Sequence, residues 1–209
     1  MTIKLHHLRF SRSTRIIWLC EELGIDYEIR EHHRNPQTNR SQDDLYAIHP
    51  LGKAPTVEID GHVMVESGAI IEYIIETRGE GKLAPASDGD RAPYLEWLQF
   101  AEGTVAMPVL LTLLGPRFGG LGDILGGFVG GEVTKLLDYI DAHLDGRDFV
   151  VGDALTGADI NLEYLLELSH MVGLLDARPN TKAYLERLMA RPAYKKAIEI
   201  GGPLVDRPA

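Results

Sequence analysis

The sequence predicts a small α/β domain of element order β-α-β then β-β-α, followed by a domain built only of helices. Three observations predict it. Residues 2–30 pass from alternating apolar spacing to helical spacing and back again. Residues 56–65 hold two short alternating segments around Asp60-Gly61, a strong two-residue hairpin signal. Beyond a Gly/Pro/Ser-containing stretch at 79–89, the remaining chain reads helical.

The elements follow in order. "TIKLHHL" alternates through Ile3 and Leu5 and reads as a strand. The polar loop "RFSRSTR" leads into "TRIIWLCEEL", where Ile16, Ile17, Cys20 and Leu23 share one helical face and Gly24 supplies the stop. "IDYEIRE" resumes alternation, so the first crossover joins parallel strands and is right-handed. Residues 32–50 are polar and irregular, with Leu45, Tyr46 and Ile48 as the only apolar anchors. "TVEI" and "HVMV" then pair antiparallel across Asp60-Gly61. Ser67 is placed to cap the helix "GAIIEYIIETRG", which turns Ile70, Ile71, Ile74 and Ile75 toward the sheet. This is the order of a thioredoxin-like domain over residues 1–79. A linker at 80–89 and an all-helical bundle domain over 90–209 complete the chain.

One segment of the second domain resists a helix. "GGLGDILGGFVGG", residues 119–131, is glycine at seven of thirteen positions. Glycine costs a helix interior about 1 kcal/mol relative to alanine, so a flexible turn is expected here. It is no phosphate loop, because no Gly-Lys-Ser/Thr follows.

Composition excludes several classes of function. A net charge of -10 without any basic stripe argues against nucleic acid. The run "VAMPVLLTLL", residues 105–114, contains a proline and falls short of the ~20 residues that span a bilayer. The N-terminus lacks the apolar core of a signal peptide. One cysteine allows no internal disulfide and fits a reducing cytoplasm. The eight histidines suggest no metal site: His6-His7 and His32-His33 are adjacent pairs, and strand neighbours point to opposite faces. Neither His-Glu-x-x-His nor Cys-x-x-Cys spacing occurs, nor a Gly-x-Ser-x-Gly elbow.

The stretch "LGKAPTVEIDGHVMVESGAI", residues 51–70, carries the chemistry. A proline opening an edge strand gives up only a donor that the edge can spare. A cis Ala54–Pro55 bond, a minority state at about 5–6% of such bonds, would turn the preceding backbone outward toward a ligand strand. Ser67 at a helix N-terminus offers a hydroxyl, free N–H groups and a positive dipole end to a carboxylate. Glu66 beside it suits an ammonium, and the two together suit the head of an α-amino acid. Lys53 suits a second carboxylate further along. An extended tripeptide fits this arrangement.

At these residues the chain resembles the glutathione transferases. "HPLGKAPTVEIDG" with "ESGAIIEYI" is similar to that family's glutathione-binding signature, "FVVGDALTGADI" (149–160) to its helix-capping signature, and "RPAYKKA" to a common ending. The resemblance covers essentially the whole chain apart from 119–131. It implies a cytosolic homodimer that uses glutathione as co-substrate and no metal. It also implies a cis Pro55, with the Ala54 backbone pairing with the cysteinyl unit. Glu66 and Ser67 would hold the γ-glutamyl head, and Lys53 the glycyl carboxylate. The 149–160 motif has a structural account: Thr156 caps a helix, Asp159 reaches back to it, and Leu155 and Ile160 form the matching staple.

Chemistry of that kind needs a thiolate from a thiol whose pKa is near 8.5, roughly. Lowering it by two units takes about 2.7 kcal/mol of preference for the anion. A hydroxyl at the head of the first helix is a suitable donor, and "FSRSTRIIW" offers Ser11, Ser13 and Thr14. Ser11 lies four residues before Arg15, the spacing of the catalytic serine in the serine-type, Theta-like transferases, and is the first candidate. Ser13, able to cap the helix, is the second. The "SRS" run is not the Theta or Zeta pattern. The loop holds neither tyrosine nor cysteine, and Cys20 belongs to the core stripe. Arg15 and Arg34 are candidate helpers for the anionic groups of glutathione. Phe10, Met107, Leu111 and Phe118 are candidates for the apolar wall around a hydrophobic electrophile. Conjugation is the expected reaction. Peroxide reduction, isomerisation or non-catalytic glutathione binding are the alternatives.

Overall fold

The computed structural model describes residues 2–204. The chain forms two compact units, one holding residues up to Ala84 together with the segment from Arg191, the other Pro85–Ala190.

The first unit is a thioredoxin-like α/β domain. Its strands β1 (Ile3–Leu8), β2 (Tyr27–His32), β3 (Thr56–Ile59) and β4 (His62–Met64) form one sheet in the order β2-β1-β3-β4. β1 and β2 run parallel with Ile3 opposite Tyr27, while β1–β3 and β3–β4 are antiparallel. The expected hairpin turn is present, with Asp60 at φ 52° and Gly61 at φ 81°, the positive pair that a two-residue turn requires. Helix α1 (Thr14–Leu23) buries Ile16, Ile17, Cys20 and Leu23 and stops at left-handed Gly24, whose N–H bonds the Cys20 carbonyl at 2.9 Å. The four isoleucines of α3 (Ser67–Arg78) are all buried, as their spacing predicts.

Between β2 and β3 lies a one-turn helix, α2 (Asp43–Tyr46), anchored by fully buried Leu45. Polar side chains fasten this connection. His6 Nδ1 is 2.9 Å from His32 Nε2, and His32 Nδ1 is 2.6 Å from Asp44 on α2. His6 Nε2 meets Glu58 of β3 at 2.8 Å. Adjacent histidines do point apart, but His6 and His32 come together from neighbouring strands.

Helix α9 (Pro192–Gly201) belongs to this same unit, so the chain divides differently from a simple split at 80–89. The reason is local. Arg191 reaches Glu22 of α1 with two contacts of 2.6 and 2.9 Å, and Tyr194 meets Trp18 edge-on with ring centroids 5.2 Å apart. Tyr194 and Ala197 are buried there.

The second unit is helical: α4 (Arg91–Phe100), α5 (Ala106–Leu114), α6 (Gly122–His143), α7 (Gly157–Met171) and α8 (Pro179–Met189). Every residue of α7 from Gly157 to Ser169 is buried, which makes it the centre of the core. A π turn, Ala101–Val105, joins α4 to α5, and Asn161 of α7 donates to the Leu98 carbonyl beside it at 2.8 Å. The run 88–118 is long and apolar enough to resemble a membrane span, with a window of mean hydropathy 1.4. It also supplies buried Tyr94, Trp97, Leu98, Ala101, Val105 and Val109 to this core.

The glycine-rich segment departs from expectation. Gly119 and Gly120 turn the chain at φ 87° and 91°, but from Gly122 a single helix of 22 residues runs to His143. Its four interior glycines cost about 4 kcal/mol in propensity. The same helix buries Val129, Val133, Leu136, Leu137 and Ile140, which contribute about 8–15 kcal/mol together. Tertiary burial outweighs local preference.

Candidate functional site

The candidate serines sit where β1 gives way to α1. Phe10 adopts φ 58°, a left-handed conformation that costs a bulky residue energy and therefore needs support. Arg34 supplies it, donating to the Phe10 carbonyl at 3.0 Å and to the Arg9 carbonyl at 3.2 and 3.3 Å. In the structure, then, the Arg34 guanidinium holds the serine loop.

Within that loop Ser11 and Ser13 face each other, their hydroxyl oxygens 2.7 Å apart. The Ser13 N–H donates to Ser11 Oγ at 3.2 Å. Ser13 occupies the N-cap position of α1, but its hydroxyl does not cap the helix. It folds back on the strand, 3.3 Å from the Leu8 N–H and 2.8 Å from His7 Nδ1. Ser13 is 0% exposed and Ser11 9%, so of the two residues Ser11 lies nearer the surface. Cys20 lies apart in the α1 core, where burial pushes its thiol up to about 12.

The second cluster flanks β3. The Ala54–Pro55 bond is cis. Thr56 donates to the Lys53 carbonyl at 2.6 Å, and Ser41 donates to the Gly52 carbonyl, which ties the turn to the α2 connection. The Lys53 side chain is exposed.

At the α3 N-terminus the expected cap is displaced by one residue. Glu66, at φ 72°, is the N-cap, and its carbonyl accepts the first helical bond from Ile70 at 2.9 Å. Ser67 is the first helical residue, 4% exposed, and its hydroxyl accepts from Arg15 Nη1 at 2.9 Å. Arg15, itself 2% exposed, therefore links the head of α1 to the head of α3. Glu66 is exposed beside this buried pair. A carboxylate and a cation-backed hydroxyl thus stand side by side, the chemistry that an ammonium–carboxylate head group requires.

Of the apolar candidates, Phe10 is half-buried on the first unit. Met107 and Leu111 lie one turn apart on the same face of α5, Met107 70% exposed and Leu111 half-buried. Phe118, in the 3₁₀ turn that follows, is 83% exposed.

Comparison with known proteins gives this geometry a context. The N-terminal domain model of the glutathione S-transferases matches residues 1–76, and the C-terminal domain model matches residues 129–192. Glutathione S-transferase 3 of Zea mays is 31% identical over 208 residues, covering 94% of this chain and 93% of its own. The chain belongs to the glutathione S-transferase family. Another member, glutathione S-transferase 3 of Schizosaccharomyces pombe, is 29% identical across 94% of this chain and 87% of its own length. The crystal structure of a glutathione S-transferase from Actinobacillus pleuropneumoniae superposes with a TM-score of 0.88 at 33% identity, covering 100% of this chain and 97% of that one.

The helix-capping motif of this transferase-family chain is built as its sequence suggests. Thr156 and Asp159 form a capping box, with the Thr156 N–H donating to Asp159 at 2.8 Å. Leu155 and Ile160 are both buried at the start of α7. The site residue that sequence reasoning passed over is His7. Its signal was available: on β1 it shares the Ile3 and Leu5 face and stands immediately before the serine loop.

Proposed function

We propose that this chain is a serine-type, Theta-like glutathione transferase that binds glutathione on residues 1–79 and attaches its sulfur to a hydrophobic electrophile. The observation that carries the proposal is the position of Ser11, the less buried member of a hydroxyl pair at the head of α1. A sulfur resting beside it meets a hydroxyl donor and a helix N-terminus, both of which favour the anion. The γ-glutamyl carboxylate is assigned to Ser67, backed by Arg15, and its ammonium to Glu66. The glycyl carboxylate is assigned to Lys53 and the cysteinyl backbone to Ala54 beside Pro55. Arg34 acts by fixing the loop that carries Ser11.

The thiolate attacks the electrophilic carbon, forms a C–S bond and expels the leaving group with its electron pair. Phe10, Met107, Leu111 and Phe118 are assigned to the electrophile. The enzyme is assigned to the cytoplasm as a homodimer. Loss of one charge-assisted hydrogen bond costs about 1.5–3 kcal/mol. Ser11→Ala should therefore cut turnover of an aryl halide about 10- to 100-fold while glutathione still binds. Inactivity in Ser13→Ala together with full activity in Ser11→Ala would reverse the assignment. Tight glutathione binding with no thiolate absorbance near neutral pH would make the protein a non-catalytic binder. Activity on a hydroperoxide or an isomerisable substrate, but on no aryl halide, would replace conjugation with those reactions.

A further inference from the structure

His7 is 2% exposed, and in the neutral ring its hydrogen bonds have one consistent direction. Its Nε2 stands 3.0 Å from the Gly201 carbonyl, which can only accept, so Nε2 carries the hydrogen. In the neutral ring Nδ1 is then an acceptor, and Ser13 Oγ, 2.8 Å away, donates to it. The Leu8 carbonyl also lies near Ser13 Oγ, but at 3.3 Å it is the poorer acceptor. Ser13 has no second proton, so across the 2.7 Å contact Ser11 is the donor. The Ser13 N–H occupies one lone pair of Ser11 Oγ. Ser11 therefore offers an arriving thiol its other lone pair and can accept the S–H proton.

We propose that His7 is the proton acceptor in thiol activation, reached through Ser11 and Ser13 as a two-hydroxyl relay. The proposal rests on the reading that Ser11 faces the glutathione sulfur. The S–H bond breaks as its proton passes to Ser11 Oγ, and sulfur keeps the electron pair. The original Ser11 proton passes to Ser13, and the original Ser13 proton passes to His7 Nδ1. Both hydroxyls end intact and imidazole becomes imidazolium. Each hydrogen bond in the chain has reversed, so Ser11 now donates to the thiolate. One negative and one positive charge appear together, and the attraction of the thiolate holds on His7 a proton that the buried ring alone would give up, so none reaches solvent.

The surroundings suit both ends of this step. Burial holds the His7 pKa below its ordinary value, which keeps the resting ring neutral and Nδ1 open. Arg9 and His32 push in the same direction, while the Gly201 carbonyl and Glu31 favour the cation. Gly201 ends α9, where the helix dipole also favours a positive charge. Close approach there depends on glycine. A Cβ on residue 201 would stand 3.0 Å from Ile17 Cδ1, 3.2 Å from His7 Cε1 and 3.3 Å from Thr14 Oγ1.

The test counts protons. Glutathione is titrated into the wild-type protein in weakly buffered solution with a pH indicator, and thiolate is followed by its ultraviolet absorbance. S-methylglutathione, which has no thiol proton, supplies the baseline. Thiolate formation with no proton released above that baseline is the expected result. One proton released per thiolate would overturn the relay. Absence of any thiolate would remove the serine reading itself, and the relay with it. His7→Gln adds a second arm, because its amide oxygen and N–H replace the acceptor and donor of the ring but cannot take up a proton. Its thiol pKa should rise by a unit or more, lowering kcat/KM at neutral pH about tenfold or more. Activity should return as pH rises, with KM for glutathione little changed. A His7→Gln protein with the wild-type thiolate profile would reduce His7 to holding Ser13 in place. If that variant fails to fold, the wild-type proton count alone decides.

Discussion

Removal of the Asp159 side chain should cost the second unit several buried hydrogen bonds at once. Asp159 is 0% exposed and accepts four hydrogen bonds: from the Val150 N–H at 3.0 Å, the Thr156 N–H at 2.8 Å, the Thr156 hydroxyl at 2.8 Å and the Tyr184 hydroxyl at 2.7 Å. Asp159→Ala strands two backbone donors and the Tyr184 hydroxyl, while Thr156 can rotate to another acceptor. A buried donor left without a partner costs about 1–3 kcal/mol, so the three together cost about 3–9 kcal/mol. A typical protein has a total stability of roughly 5–15 kcal/mol, so the variant should be mostly unfolded or barely stable. Thr156→Ala removes only the cap and should cost about 0.5–2 kcal/mol. Urea denaturation followed by circular dichroism measures both variants, and turnover per folded molecule shows whether either residue acts in chemistry. The Thr156→Ala protein should be folded and active. A stable Asp159→Ala protein, or a Thr156→Ala protein with unchanged stability and no activity, would refute this expectation.

Two further predictions concern stability. A Cβ at Gly127, Gly130 or Gly131 of α6 would meet nothing within 4 Å, so replacing all three by alanine should stabilise the protein by about 2–3 kcal/mol. An unchanged or lowered denaturation midpoint would contradict the continuous helix. His6 and His7 are both held below their ordinary value of 6.5, chiefly by burial, so the fold favours their neutral forms. Their contribution to stability is full above 6.5 and is lost as pH falls through the lowered values. Glu31 and Glu58, held below 4.5, titrate in a more acidic window. The denaturation midpoint should therefore begin to fall on the alkaline side of that carboxylate window, and a midpoint constant down to it would contradict the histidine assignment.

Much of the first unit was legible because its determinants are local. Period-two spacing in β1 and β2, the helical stripe of α1 and the Asp60-Gly61 turn each specify their element within a few residues. The cis bond before Pro55 is implied by the family resemblance, whereas local sequence alone favours trans. What escaped the sequence depends on distant partners. The Ser67 hydroxyl is taken by Arg15, 52 residues away, so it does not cap its own helix. His7 acquires its direction from Gly201, 194 residues on, and no spacing rule announces that contact. Intrinsic propensity alone makes the glycine run a turn, whereas burial of the valines, leucines and isoleucine further along α6 decides its state. The return of α9 to the first unit rests on Arg191, Tyr194 and Gly201 meeting α1 and β1, which becomes visible only once the sheet is assembled.

The most direct test of the central claim is a crystal structure of this protein with glutathione bound. The sulfur should lie within hydrogen-bonding distance of Ser11 Oγ, and the γ-glutamyl carboxylate on Ser67. A sulfur remote from Ser11, or a γ-glutamyl group elsewhere than the head of α3, would contradict that claim.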